Sequence, residues 1–193
     1  GVTNFFRDPE VFHYLAEHCL PQLLSRIDNR EIRVWVSGCS TGEEAYTLAI
    51  LIQEAMTRLD RHHDVKIFAT DIAREAIVKA GSGIYSESIA ADLDPMLLSK
   101  YFYRREDDFQ VTRSLRSMVV FAQHNLVKDP PFTNIDLISC RNLLIYLQPI
   151  LQQKALKMFN FSLTEKGLLL LGTSETIGEM GDYFEKVHGK FKI

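Results

Sequence analysis

Three polar features of this sequence carry residue types that chemistry needs: the run Gly38-Cys39-Ser40-Thr41-Gly42-Glu43-Glu44, the acid Asp71, and the pair Arg141-Asn142. A glycine-rich loop lets backbone approach a ligand closely. An acid one strand–helix unit later is spaced to accept hydrogen bonds from a ribose diol. Together they predict a nucleotide-type site.

The loop also restricts the ligand. It does not read G-x-G-x-x-G and lacks the lysine of a P-loop. Glu43 and Glu44 stand where a helix N-terminus would otherwise meet a phosphate, and two carboxylates there repel a pyrophosphate. They suit a ligand with an amine and a positive centre, and S-adenosylmethionine combines these with a ribose. An NAD-linked dehydrogenase is disfavoured on the same grounds. The plainer alternative is that both glutamates only complement the helix dipole.

Metal and thiol chemistry find little support. Cys19, Cys39 and Cys140 form no Cys-x-x-Cys pair, and the odd number suggests a reducing, cytoplasmic setting without disulfides. Neither Cys39 nor Cys140 has an evident histidine partner, so both read as packing residues. His62-His63 fall in a polar linker and His13 and His18 on a helix, so no metal site is expected.

These features need a scaffold that brings strand ends together. The segment 31–37 is a short, β-branched-rich run and reads as a buried strand. It is followed by the glycine loop, a helix over 43–59, a strand over 64–70, Asp71, and a helix over 73–80 stopped by Gly81 and Gly83. Alternation of this kind predicts a parallel sheet covered on both faces, with ligands beyond the strands' carboxyl ends. Upstream, Asp8-Pro9-Glu10 reads as a capped helix start and Pro21 as a kink or restart. The pattern breaks over 84–116, where a helix near 95–103 and a weak strand at 109–112 suggest an inserted subdomain. It resumes with strands at 117–123 and 135–139, a helix over 149–163, a turn at Lys166-Gly167 and a strand over 168–171. The tail 183–193 reads as a hairpin.

Composition sets outer bounds. A length of 193 residues suits one domain, and 46% hydrophobic with 24% charged residues excludes a disordered chain. A net charge of −3 offers no bulk attraction for nucleic acid. No apolar run approaches the ~20 residues of a membrane span, and no secretory signal is visible. The first residue is Gly1, as in a fragment of a longer protein.

Several stretches, in order along the whole chain, resemble the CheR family of chemotaxis protein-glutamate O-methyltransferases: Thr3-Asn4-Phe5-Phe6-Arg7-Asp8, Trp35 through Tyr46, Phe68-Ala69-Thr70-Asp71-Ile72, His124-Asn125-Leu126, Ser139 through Tyr146, and Leu171-Gly172-Thr173-Ser174-Glu175-Thr176. The resemblance implies a class I SAM-dependent methyltransferase fold, a Rossmann-like doubly wound sheet with a C-terminal antiparallel hairpin and a small inserted β-subdomain at 84–116. The family's N-terminal helical domain has no counterpart in this sequence. Ala45, in place of a usual Pro, and Ile177-Gly178-Glu179 look more like CheR modules of CheB–CheR fusion or sensor-linked proteins.

The resemblance also implies function. S-adenosylmethionine would give its methyl group to glutamate carboxylates of a chemoreceptor helix or of another glutamate-bearing signalling protein, leaving S-adenosylhomocysteine, and other signalling domains would accompany this one in the full-length chain. Thr3, Arg7, Gly38, Glu44, Asp71, Asn125, Leu126, Arg141 and Asn142 would bind the cofactor, with Asp71 on the ribose. Gly1 stands where the family often has Asn, and Val36-Ser37 replaces the acid that commonly ends the first strand. Arg7 and Tyr146 are the candidate catalytic residues, orienting the acceptor carboxylate. Arg74, Lys79, Lys100, Arg104, Arg105, Arg113 and Arg116 are candidates for docking an acidic receptor helix, or else solvated charges balanced by nearby acids. The main alternative function is a regulatory SAM-binding module within a multidomain signalling protein.

Overall fold

The computed structural model of the chain describes residues 3–187. Helix α1 (Pro9–Tyr14) passes through a π turn (Leu15–Cys19) into α2 (Leu20–Arg26). The π turn ends two residues before Pro21, which has no N–H to offer the preceding turn. Asp8 makes no cap bond: its φ is 58° and its carboxylate goes to Arg141 instead. Val11, Phe12, Leu15, Leu20, Leu23 and Leu24 are buried, so one face of these helices lies on the core.

Strand β1 (Ile32–Ser37) is buried along its length except at Arg33. It leads into α3 (Glu43–Arg58), whose Ala45, Tyr46, Leu48, Ala49 and Ile52 are buried. Then come β2 (Val65–Asp71) and α4 (Arg74–Ser82). Gly81 lies inside α4; Gly83, at φ 67°, ends it because only a left-handed residue closes the helix there.

The expected insertion contains β3 (Ile84–Ser86), a 3-10 turn (Glu87–Ala91), α5 (Pro95–Tyr101), β4 (Phe102–Arg104), β5 (Asp108–Val111) and α6 (Arg113–Arg116). Asp94 starts α5 by accepting from the Met96 N–H. Its strands form an antiparallel sheet in the order β3-β5-β4. Phe5 packs edge-on against Tyr85 and Phe102, at ring-centroid distances of 4.9 and 5.4 Å. Lys100 Nζ and the Tyr101 hydroxyl both donate to Glu54 Oε2 on α3 at 2.7 Å.

The chain returns through β6 (Val119–Gln123), β7 (Ile135–Cys140), a 3-10 turn (Leu144–Tyr146), α7 (Pro149–Ser162) and β8 (Leu163–Leu171). Strand β8 starts earlier than expected. Leu163 pairs with Ile135, the register shifts, and Leu168 pairs with Leu137, so Lys166-Gly167 lies in an irregularity within the strand rather than in a turn before it. The five long strands are parallel, in the order β6-β2-β1-β7-β8. The order reverses between β1 and β7, and connections leaving in opposite directions open a crevice at the carboxyl ends there. The hairpin expected over 183–193 has no strand in its described part, 183–187, and its remainder lies outside the described residues.

Trp35 anchors one face of the sheet. It is fully buried, donates from Nε1 to Thr70 Oγ1 at 3.0 Å, and meets Phe132 and Phe159 edge-on at 5.1 and 5.4 Å. Burying the indole without that partner would leave a costly unpaired donor.

Candidate functional site

The glycine loop is folded back onto β2. The Gly38 and Cys39 N–H groups both donate to the Thr70 carbonyl at 2.8 Å. Gly38 (φ 74°) and Gly42 (φ 98°) are left-handed, and a Cβ on Gly38 would stand 3.2 Å from Leu143 Cδ2. The left-handed turn thus favours glycine, and Leu143 leaves little room for a Cβ beside it. The fold places Asp71 beside this loop: Oδ2 accepts from the Ser40 N–H at 2.8 Å and Oδ1 from the Ala73 N–H at 2.9 Å. A carboxylate has about four acceptor positions, so each oxygen can still receive a ribose hydroxyl.

Glu44, in the first turn of α3, accepts from Ser139 Oγ and from Arg141 Nη1, both at 2.7 Å. Arg141 also donates from Nη2 to Asp8 Oδ2 at 2.7 Å and to the Arg7 carbonyl at 3.1 Å, and lies over the Phe12 ring at 4.9 Å. Its side chain is 2% exposed. The guanidinium therefore tethers the N-terminal strap to α3 and β7. The Phe6 N–H donates to Thr47 Oγ1 and the Phe5 side chain is buried, which completes the anchoring. Arg7 itself is exposed on this strap, and Thr3 is half-buried near its start.

Glu43 turns away from Glu44 and pairs with Thr41 Oγ1, at 2.9 Å to Oε2. Burial raises its pKa above 4.5, against the opposing effects of the Thr41 hydrogen bond and Lys79. Asn125 Oδ1 accepts from the Val127 and Lys128 N–H groups, fixing the loop after β6 and leaving its amide N–H₂ as a donor. Leu126 packs against the Trp35 cluster. Asn142 is left-handed (φ 61°). Tyr146 is 74% exposed and so is not a core residue. Burial pushes the Cys39 and Cys140 thiols well above their usual range, so neither supplies a thiolate.

The structure adds participants the sequence did not single out. Asp8 and Ser139 complete the Arg141–Glu44 network. Glu175, 3% exposed, accepts backbone N–H bonds from the Asn142 turn. Its signal in the sequence was an acid three residues beyond Gly172, just past a strand. Two clefts of about 370 and 880 Å³, by the first turn of α7 and along β8, contain none of the candidate cofactor-binding or catalytic residues. Among the described residues no cluster of three or more His, Cys, Asp or Glu is arranged to hold a metal, and no helix is long and apolar enough to cross a membrane.

Residues 1–193 match the sequence model of the CheR methyltransferase SAM-binding domain. The chain belongs to the CheR family. It is 40% identical over 181 residues to a chemotaxis protein methyltransferase of Borreliella burgdorferi, covering 91% of this chain and 64% of that protein. It is 36% identical over 189 residues to the chemotaxis protein methyltransferase of Salmonella typhimurium, covering 93% and 62%. It is also 42% identical along its full length to an uncharacterised 104.1 kDa protein of Rhodobacter capsulatus, of which it spans 20%. This CheR chain thus covers less than two-thirds of these relatives. Among solved structures, the DszA carbon methyltransferase aligns with a TM-score of 0.54 at 15% identity, covering 91% of this chain and 38% of that one. PKMT2 of Rickettsia typhi aligns with a TM-score of 0.52 at 11% identity, covering 88% and 26%. The CheR fold here is a class I SAM-dependent methyltransferase α/β fold carrying a small β-subdomain.

Proposed function

We propose that this CheR chain is one domain with an inserted β-subdomain, and that it transfers a methyl group from S-adenosylmethionine to ionised glutamate side chains of a chemoreceptor helix. The reading is carried by the convergence of the glycine loop, Asp71, Glu44 and the Arg7 strap at the carboxyl ends of β1, β2 and β7, in a chain that matches the CheR model throughout. The donor set suits the cofactor: two carboxylates for a ribose and a cationic methionyl end, and a loop without a phosphate-binding lysine. Asp71 takes the ribose, held by Ser40 and Ala73. Glu44 faces the cationic end. The Asn125 amide and Leu126 take the adenosyl part, and Gly38, Thr3 and Asn142 line the rest. Arg141 acts through Glu44 and the strap rather than by lining the ligand.

When bound, S-adenosylmethionine would supply a displaceable methyl group on a sulfonium, the acceptor oxygen taking the carbon and the C–S electron pair leaving with sulfur, so this chain's residues would have no proton to move. The acceptor is already ionised at neutral pH. The residues' tasks are therefore positioning and desolvation. Arg7 orients the acceptor carboxylate by charge-assisted bonds and Tyr146 donates its hydroxyl to it. Docking of the acidic helix falls to Arg74, Lys79, Arg113 and Arg116, because Lys100, Arg104 and Arg105 are each paired with Glu54, Glu87 and Asp108. The setting is cytoplasmic, where chemoreceptor helices present their glutamates.

Calorimetry with S-adenosylhomocysteine, and with NAD in parallel, tests the cofactor; micromolar binding of the first and none of the second is expected. Labelled methyl transfer to a receptor fragment, released as a base-labile ester, tests the reaction. The small share of the 104.1 kDa relative that the chain spans favours one alternative, a SAM-binding regulatory module of a multidomain protein. Binding without transfer would select it.

A further inference from the structure

Glu175 is the most heavily bonded carboxylate of the site region, and nothing in the chemistry above uses it. It follows β8, three residues after Gly172, and is 3% exposed. Oε1 accepts from the Asn142 N–H at 2.7 Å and the Gly172 N–H at 2.9 Å. Oε2 accepts from the N–H groups of Leu143, Leu144 and Ile145 at 3.0, 2.5 and 3.3 Å. All of the bonding oxygens' partners are backbone, and four of the five lie in consecutive residues between Arg141 and Tyr146.

Consecutive N–H groups point to one side where the backbone curls, as in a nest or at a helix start, and there they can hold an anion. Asn142 adopts φ 61°, a left-handed conformation that asparagine tolerates better than most residues, and its N–H donates to the carboxylate there. The 3-10 turn Leu144–Tyr146 starts on the same anion. Gln152 of α7 closes the turn from the other side, donating from Nε2 to the Leu144 and Leu147 carbonyls at 2.8 and 3.0 Å. Tyr146 ends this turn, so the turn's conformation sets the direction in which its exposed side chain leaves the backbone. The fit is tight: a Cβ on Gly172 would stand 2.6 Å from Glu175 Oε1.

We propose that Glu175 is a positioning residue for methyl transfer, its buried carboxylate curling the β7 loop so that Asn142 faces the cofactor and Tyr146 the acceptor. This rests on the methyltransferase reading. Glu175→Gln keeps the shape but turns an N–H₂ donor toward backbone donors, so one side of the nest opens. Gly172→Ala crowds both Glu175 Oε1 and the Asn142 backbone nitrogen, at 2.6 and 3.0 Å, so it parts the carboxylate from the nest while keeping the charge, and it decides the matter should the first variant fail to fold.

The experiment combines hydrogen exchange of full-length protein with double-mutant cycles. In the wild type the amides of residues 142–145 should be protected; in either variant they should exchange at least about tenfold faster, while those of β1 keep their protection. Tyr146→Phe should lower kcat about tenfold or more in the wild type and less than about threefold in the variants, because the hydroxyl is no longer held in place. Rates that fall by the full product of the single losses, or amides that stay protected in both variants, overturn the proposal. If the wild type transfers no methyl group to any receptor fragment, the transfer reading falls. Exchange, and the coupling of Glu175→Gln with Asn142→Ala in S-adenosylhomocysteine affinity, then decide the positioning role by themselves, independent losses counting against it.

Discussion

Arg141 Nη1 stands 2.7 Å from Glu44 Oε1, and the arginine's other terminal nitrogen stands 2.7 Å from Asp8 Oδ2. One buried cation thereby joins the start of α3, the end of β7 and the N-terminal strap. Arg141→Ala leaves two carboxylates facing each other without a counter-charge. Loss of one member of a buried pair costs about 3–5 kcal/mol. Asp8 reaches solvent, so about 2–4 kcal/mol is expected here, read from urea unfolding. Arg141→Lys keeps the charge but not the fork, and should recover only part of it.

Asp71→Ala removes the carboxylate held by the Ser40 and Ala73 N–H groups. Each hydrogen bond to a charged group is worth about 1.5–3 kcal/mol. S-adenosylhomocysteine affinity should therefore drop about 100-fold by calorimetry. An unchanged affinity would remove Asp71 from the ribose.

Tyr146→Phe and Arg7→Ala separate chemistry from cofactor binding. Both residues are exposed at the rim, so thermal stability should move little. Loss of the tyrosine hydroxyl should lower kcat about 10–100-fold with unchanged affinity for S-adenosylhomocysteine. Loss of the Arg7 side chain should raise KM for the acceptor. A tyrosine variant with wild-type kcat would assign the acceptor to other donors.

Glu43 gives a pH-dependent signature. Burial raises its folded-state pKa, the opposing Thr41 and Lys79 effects being smaller. The folded state thus holds this proton more tightly than the unfolded chain. Its contribution to stability is full below about 4.5 and is lost as pH rises through the raised value. Glu43→Gln should therefore raise Tm at pH 7, where the buried charge is unfavourable, and the advantage should shrink toward pH 4. Thermal scans across that range are the check.

Gly38→Ala should cost about 1–2 kcal/mol through its left-handed φ and the nearby Leu143 Cδ2. Because the Leu143 side chain must give way by a few tenths of an ångström beside the site, ligand affinity should fall together with stability.

The parallel sheet was legible from the chain because its strands are short, buried and β-branched, and alternate with amphipathic helices. The inserted subdomain was legible as a break in that alternation. The start of β8 was not, because its pairing with Ile135 across an irregularity depends on the neighbouring strand and not on local pattern. The stop at Gly83 rather than Gly81 turned on which glycine takes the left-handed φ.

The candidate site divides the same way. Asp71 and the glycine loop are set by position: residues at strand ends in a doubly wound sheet converge wherever the order reverses. Residue types and order alone therefore determined the fold class and the family. Tertiary structure decided which charges face each other. Arg141 reads in the sequence as a ligand-lining cation, yet three segments far apart in the chain enclose it and direct it to Glu44 and Asp8. Glu175 reads as one more acid in a loop, and becomes an anchor only because two strand-end loops bring five backbone donors to it. Hydrogen-bond partners are set by distance in space, and burial gives them their strength; neither is written in local sequence.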